Sequence, residues 1–574
     1  MVVRLLSKGK KIFLDPQESI LSAATLIMFM IVASRILGLV RQRVLAHFFV
    51  ADKLSLFFAA FRLPDLVFEV LVFGTFASAF IPVFTRSLRE GKDKAWETAG
   101  IVVNIGLIVF ILFSVVLLFQ ADFVYSFLAP GYSGEEREVV VNLARVLFAA
   151  QGFFVVSYVL TGVLESLKRF LVPALAPLFY NLGIILGTVF LAPKLGLIAP
   201  VIGVVIGSMF HFLIQLPLAL RLGFRFIPLL KFTPEVKKIG KLAAPRVLET
   251  IFLQISKSTE LFFSSLISVA AYTYYTFGNT LQLVPVGLFG TSIAKAALPT
   301  LASQSDSENK FKNTLFSTLY DMCFLIIPIA TLFIVLRIPI IRLVYGTDIF
   351  DWRATTQTGY VLSAFALGMV TQSVVALLSR GFYALHDTKT PVLVSIISTS
   401  IIILLDFLFI KVLKFDVWGL AAAFSIGSLL QAVILFFLMN RKIGDGSYLK
   451  MLKPIIKSVI SAFFSGLVMY FILKFFDRST WIKRISFVGR IDITKIDFEK
   501  FVLDTRYTVN LLILTVIVAL AGGIVYLGLS IVLKSDEVWN FFRFVGRILG
   551  NKKVLVSPKG REPLSANPID NTSV

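Results

Sequence analysis

Arg35 and Arg41 stand six residues apart in "ASRILGLVRQRVLAHFF", a run apolar enough to enter a lipid bilayer. An arginine at membrane depth is costly, and it marks a hydrated cavity, a substrate path or a partner charge. At 100° per helical residue the two lie about 120° apart around the axis, so they border a wide cavity and not one narrow stripe. Arg43 and His47 lie nearer one end of the run, where a long side chain reaches the interface. A second group follows in "FRLPDLVFEVLVFG": Arg62, Asp65 and Glu69 fall at i, i+3 and i+7, on one helical face. A third lies in "PRVLETIFLQISKSTELFF", where Arg246 precedes Glu249 and Lys257 precedes Glu260 by three residues each. The two pairs share a face about 16 Å apart along the axis. Lys295 and Asp406 stand alone.

Acids at i+3 give Arg62, Arg246 and Lys257 a bland reading as local ion pairs. Arg35 and Arg41 have no acid within one turn, which favours a cavity role. Arg35, Arg41, Arg62, Arg246, Lys257 and Lys295 against Asp65, Glu69, Glu249 and Glu260 leave two positive charges in excess. A positive interior suits an anionic substrate, a phosphate above all.

Membrane helices must position these charges. The chain has 574 residues, 57% hydrophobic and 16% charged, with mean hydropathy +0.87. Apolar runs recur from end to end, which predicts an all-α polytopic membrane protein of about fourteen transmembrane helices. The charged groups fall in the segments 20–47, 54–85 and 236–268, and the last two segments are 452–476 and 507–533. Lys and Arg crowd alternate short connections, which predicts cytoplasmic N- and C-termini. That distribution, and not nucleic-acid binding, accounts for the net charge of +22. The connections 337–353 and 478–500 are more basic than the pattern predicts. The first nineteen residues are too polar for a signal-peptide core, and the following run is expected to be retained. P-loop, HExxH and GxSxG patterns are absent, and His47, His211 and His386 are scattered. With Cys323 the lone cysteine, neither a disulfide framework nor a metal site is expected, and the chain is not expected to be an enzyme.

The two halves of the chain repeat one another. "FGTFASAFIPVF" matches "FGTSIAKAALPTL", "GVLESLKRFLVPAL" matches "GFYALHDTKTPVLV", and "IGSMFHFLIQ" matches "IGSLLQAVIL", at offsets of 216 to 220 residues. Six helices per copy give both copies one orientation, which predicts two parallel six-helix lobes related by pseudo-two-fold symmetry. The lobes are expected at 20–222 and 223–440, with two further helices over 441–533 and cytoplasmic tails at 1–19 and 534–574. Gly74 and Pro82 in the second segment, and Pro285, Gly290 and Pro299 in the eighth, are repeat-matched interruptions and candidate hinges. The small-residue pairs Gly183/Gly187 and Gly203/Gly207 predict close helix packing.

"ASRILGLVRQRVLAHFF", "FFAAFRLPDLVFEVLVFGTFASAFIPVF" and "RGFYALHDTKTPV" in series resemble the MurJ (MviN) family of lipid II flippases. That family lies within the multidrug/oligosaccharidyl-lipid/polysaccharide exporter superfamily, and the likeness spans roughly residues 20–535. The resemblance implies translocation of an undecaprenyl-pyrophosphate-linked peptidoglycan precursor across the bacterial inner membrane by alternating access. It implies coupling to membrane potential or a monovalent ion, no cofactor, cell-wall synthesis machinery as a partner, and a lipid-tail groove in the last two helices. Arg35 and Arg41 match the family's cavity arginines. A further family arginine meets Phe68 or Glu69 here, and a family acid meets Ser55. In the eighth segment the family's arginine falls at Thr280 and its acids at Asn279 and Leu283. Arg246 and Lys257 are candidates to supply the missing positive charge. A flippase for another polyprenyl-pyrophosphate-linked oligosaccharide, a cation/drug antiporter of the same fold and a non-transporting scaffold remain alternatives.

Overall fold

The computed structural model describes residues 20–70, 74–226, 230–443, 448–477 and 503–548. Over these the chain is helical, with one isolated bridge between Asp477 and Leu503. Eleven helices of the described residues, from Lys92–Phe119 to Thr508–Val532, are long and apolar enough to cross a membrane. The chain is thus an all-α polytopic membrane protein. Three expected segments are not among the eleven, and they are the three that carry the clustered charges. α1 (Ile20–Phe48) is a continuous helix of 29 residues. The 54–85 segment is broken into α2 (Ala51–Ala60), α3 (Arg62–Phe68) and α4 (Gly74–Glu90). The 236–268 segment is one unbroken helix of 34 residues, Pro234–Ile267.

Pro64 explains the first break. Its nitrogen cannot donate to the carbonyl of Ala60, four residues back. The buried Tyr125 hydroxyl takes that place, 2.9 Å from the Ala60 carbonyl and 3.2 Å from that of Ala59. Regular bonding resumes where Asp65 N–H meets the Phe61 carbonyl at 2.8 Å.

Backbone irregularities recur at the offset of the duplication. Glu69 and Val70 wind as a π-helical turn, and so does Val286–Thr291. Lys168 (φ 57°) and His386 (φ 60°) are left-handed residues 218 positions apart, as are Gly196 (φ 58°) and Lys414 (φ 56°). Lysine and histidine seldom adopt that conformation. Its recurrence is therefore a trace of the repeat in the backbone.

By contact the chain forms two compact units, Met1–Tyr275 with Val344–Ala354, and Thr276–Leu343 with Thr355–Val574. These group residues by contact, whereas the expected lobes group them by duplication. The two divisions differ because Pro234–Ile267, the first helix of the second repeat, packs on the broken second segment.

In the first unit, α5 (Lys92–Phe119), α6 (Ala121–Leu128) and α7 (Gly134–Ser166) follow α4. The acidic "GEERE" begins α7 as a capping box: Ser133 N–H donates to Glu136 at 2.7 Å, and Glu136 N–H donates to the Ser133 hydroxyl at 3.3 Å. α8 (Leu171–Leu195) and α9 (Ile198–Leu213) meet through glycine: a Cβ on Gly187 would lie 2.5 Å from Gly203 Cα. His211 is a core residue whose Nδ1 lies 2.6 Å from the Ser157 hydroxyl. The 344–354 stretch clasps the end of α1. Tyr345 hydroxyl donates to Gln42 at 2.7 Å, Arg43 to the Val344 carbonyl at 3.1 Å, and Thr347 hydroxyl to the Ala46 carbonyl at 2.8 Å. Arg43, expected to reach the interface as an end charge, is exposed yet bound to backbone.

The arginines of the basic 337–353 connection that lie in the second unit also satisfy local groups. Arg337 donates to the Ile334 carbonyl at 2.9 Å and lies over the Tyr360 ring, while Arg342 donates to the Thr505 carbonyl at 3.2 Å. The 478–500 stretch lies outside the described residues. "LHDTKTP" locks a turn: Asp387 accepts from Lys442 at 2.9 Å and from Thr390 N–H and hydroxyl at 3.1 and 2.8 Å. Partial burial opposes ionisation, but the Lys442 ammonium and the Thr390 donors prevail and hold the carboxyl at about 2. A depressed folded pKa contributes stability above the ordinary carboxylate range, and that contribution is lost only as pH falls toward 2. Asp387→Asn is therefore expected to cost about 1 kcal/mol, the worth of a capping contact, evenly from pH 5 to 8. Thermal unfolding of both proteins across that window checks it, and a pH-dependent difference would contradict it.

Candidate functional site

Broken α3 and the long helix Pro234–Ile267, which we label α10, bring the charges of the first unit together. Arg62 is buried and donates through Nη2 to Gln254 Oε1 at 2.8 Å. Gln254 in turn donates from Nε2 to the Glu69 carboxylate. Lys257 Nζ lies 2.9 and 3.1 Å from the two oxygens of Glu69. Asp65 accepts from Gln151 Nε2 at 2.6 Å, and Glu260 accepts from the Tyr275 hydroxyl. The Tyr272 hydroxyl lies against Arg62.

Lys257 therefore pairs across helices with Glu69, and not with Glu260 one turn along its own helix. Arg62 reaches an amide of α10 while Asp65 turns to α7. Two cations face three carboxylates, so this cluster has an excess of acid and is not a pooled positive surface. Gln254 and Gln151 complete it, and charge patterning did not find them. The available signal was an amide on the Lys257 face, at i−3, and an amide in the middle of the apolar 141–165 segment.

Three zones along α10 hold it to the unit. Near its start Glu235 pairs with Lys94 at 2.8 Å. The charged cluster forms the middle zone. Near its end Gly131 N–H donates to the Ser265 hydroxyl at 3.2 Å, and a Cβ on Gly131 would fall on the Ser265 carbonyl. Ser55, where the family's acid would stand, is buried and accepts from Thr273 N–H at 2.8 Å. The side chains of Arg246 and Glu249 lie outside the described residues.

Arg41 and Arg35 stand apart from one another. Arg41 is half-buried and has a buried Nε–H with no hydrogen-bond partner. Arg35 opens on a separate cavity of about 390 Å³, lined by Ser34, Thr161, Glu165 and Pro173.

The second unit holds the remaining candidates. Gly74 and Pro82 begin and interrupt α4 in the first unit; here Pro285 ends Ala271–Pro285, Gly290 lies in the π turn, and Pro299 lies within Ser292–Ser303. A Cβ on Gly290 would meet the Ser373 side chain, so Gly290 is also a close-packing position. Asn279 accepts from Gln282 at 2.9 Å, and Gln282 accepts from Gln372 at 3.1 Å. A neutral amide ladder thus stands where the resemblance led to charges. Lys295 is exposed and Asp406 is buried. An apolar groove of about 1080 Å³ is walled by four helices, with Thr331, Leu367, Trp418, Leu429, Phe463 and Tyr470 among its lining. The helix Tyr448–Phe476 contributes a wall, while Thr508–Val532 packs behind it, where Ser465 hydroxyl donates to the Gly522 carbonyl at 2.7 Å. Among the described residues no cluster of His, Cys, Asp and Glu could hold a metal ion.

A family model described as lipid II flippase MurJ matches residues 19–489. The chain belongs to the MurJ family. Curated relatives include a probable lipid II flippase MurJ of Vibrio cholerae, 28% identical over 73% of this chain and 82% of the relative. The lipid II flippase MurJ of Burkholderia cenocepacia is 25% identical over 71% of this chain and 81% of its own length. A solved lipid II flippase MurJ in an inward closed conformation covers 89% of this chain and 99% of its own, with TM-score 0.71 and 24% identity. An inward-facing multidrug resistance MATE family transporter covers 71% of this chain and 94% of its own, with TM-score 0.59 and 16% identity. Those two likenesses establish a MurJ and MATE-type fold. Membership in a bacterial flippase family makes this a multi-pass protein of the bacterial inner membrane.

Proposed function

We propose that this chain moves lipid II, the undecaprenyl-pyrophosphate-linked peptidoglycan precursor, across the inner membrane by alternating access during cell-wall biogenesis. The match to the MurJ family over residues 19–489 carries this reading. Support for the site comes from charged side chains, Arg62 and Lys257 foremost, held within an otherwise apolar bundle. Arg35, Arg41, Arg62 and Lys257 would contact the pyrophosphate, with Arg246 as a further cation of α10. Arginine forks and a lysine point charge suit phosphate oxygens. The 1080 Å³ groove would take polyprenyl chain, which needs an apolar wall and few polar partners. The repeat lobes 20–222 and 223–440 would be the rocking elements. The π turns and the residues Gly74, Pro82, Pro285, Gly290 and Pro299 would be their points of bending. Both termini would be cytoplasmic, and membrane potential or a monovalent ion would drive the cycle.

The test is rescue of a MurJ-depleted bacterium by this gene. Growth with normal cell shape is expected, and failure of a well-inserted protein would overturn lipid II as substrate. One observation favours a second reading: the neutral ladder Asn279–Gln282–Gln372 replaces expected charge. In that case the chain would move another polyprenyl-pyrophosphate-linked oligosaccharide. Lys257→Ala is expected to slow flipping about tenfold or more, the worth of one charge-assisted contact, and Lys295→Ala to leave it near wild type. Equal effects in a vesicle flipping assay would remove α10 from the substrate site.

A further inference from the structure

Glu69 occupies the place where the donors of this site converge. Its two oxygens take both close approaches of Lys257 Nζ, at 2.9 and 3.1 Å, together with the Gln254 amide. The far side of that same amide accepts from Arg62 at 2.8 Å. One carboxylate thus holds one cation directly and a second through a single amide. The other two carboxylates are engaged elsewhere, Asp65 by Gln151 and Glu260 by Tyr275. The Glu69–Lys257 pair is also only partly covered, with side chains 27% and 43% exposed. Carboxylate and phosphate offer lysine and arginine the same kind of acceptor oxygen. A lysine left without a counter-charge at membrane depth would be costly.

We infer that Glu69 is an internal counter-anion: it occupies the phosphate position of the Arg62–Gln254–Lys257 site and is displaced by the substrate pyrophosphate. The inference rests on the reading of this chain as a carrier of pyrophosphate-linked lipid. Glu69 keeps the cations paired when the site is empty, and its return competes with the pyrophosphate and promotes release. Displacement is favoured because pyrophosphate brings more charge and more acceptor atoms than one carboxylate. The π turn at Glu69 and Val70 departs from regular helical bonding at the side chain that must move.

The experiment uses the full chain in lipid nanodiscs, with lipid II as probe, and reads equilibrium binding and flipping rate. Five proteins are compared: wild type, Glu69→Gln, Glu69→Asp, Lys257→Gln and the Glu69→Gln/Lys257→Gln double variant. Glu69→Gln is expected to bind lipid II about three- to tenfold more tightly and to turn over more slowly, because release loses its competitor. In the Lys257→Gln background the same change should have much less effect, which separates direct competition from a general gain in positive charge. Glu69→Asp keeps the charge and should stay close to wild type, which guards against an effect of folding alone. Binding by wild type with equal or weaker binding by Glu69→Gln overturns this inference and leaves the substrate reading intact. The same Glu69→Gln gain with and without Lys257 also overturns it. Absence of saturable binding in wild type and Glu69→Gln alike overturns both.

Discussion

Arg41→Ala will abolish rescue of a MurJ-depleted bacterium, whereas Arg43→Ala, two residues along the same helix, will sustain growth. The two side chains have opposite circumstances. Arg43 is exposed, and its guanidinium is used on the Val344 carbonyl at 3.1 Å. Arg41 is half-buried, and its buried Nε–H is unpartnered. A buried donor without an acceptor is costly in the empty protein, so an anionic ligand that supplies the acceptor recovers that cost on binding. A hydrogen bond to a charged group is worth about 1.5–3 kcal/mol, which is about 10- to 150-fold in affinity or rate. Arg41→Lys should recover part of the activity, since the charge remains but the planar fork is lost. Flipping rates in vesicles, with insertion and thermal stability measured alongside, check the comparison. Normal growth with Arg41→Ala would remove Arg41 from the substrate path.

Why the sequence reveals some of this and hides the rest follows from the range of each interaction. Helices, their number class and their charged faces are local and periodic, so Arg62, Asp65 and Glu69 were legible as one face. The repeated motifs were legible at a steady offset, and residues of positive φ fall at a like offset in the pairs Lys168/His386 and Gly196/Lys414. Partnership between helices was not legible. Spacing offered Lys257 a partner in Glu260 at i+3, yet the nearer anion in space is Glu69, 188 residues away. The same limit hid Gln254 and Gln151, which patterning records only as amides in apolar runs. It also hid the clasp on α1, because nothing local ties Gln42 to Tyr345. Pro64 explains the break at Phe61, and only the fold shows that Tyr125 makes the break tolerable.

Gly203→Leu will cost the protein more of its stability than any change of an exposed side chain. At the α8–α9 contact a Cβ on Gly203 would lie 2.8 Å from the Gly183 carbonyl oxygen and 2.9 Å from Ile184 Cα. Both are backbone atoms, which cannot rotate aside as a side chain can. Association of membrane helices depends on close van der Waals contact between small residues, because lipid supplies no hydrophobic drive to hold them together. Leucine at this position forces the two helices apart, and overpacking of this kind costs about 1–3 kcal/mol even where side chains can adjust. α8 also carries Tyr180, the neighbour of Arg41, so separation of α8 from α9 should disturb the arginine as well as the fold. Gly528→Leu is the matched control, since a Cβ there meets nothing within 4 Å. The expected result is a lower unfolding temperature and poor accumulation for Gly203→Leu beside near-normal behaviour for Gly528→Leu. Coincident melting of the two variants would show that the glycine contact does not hold the helices together.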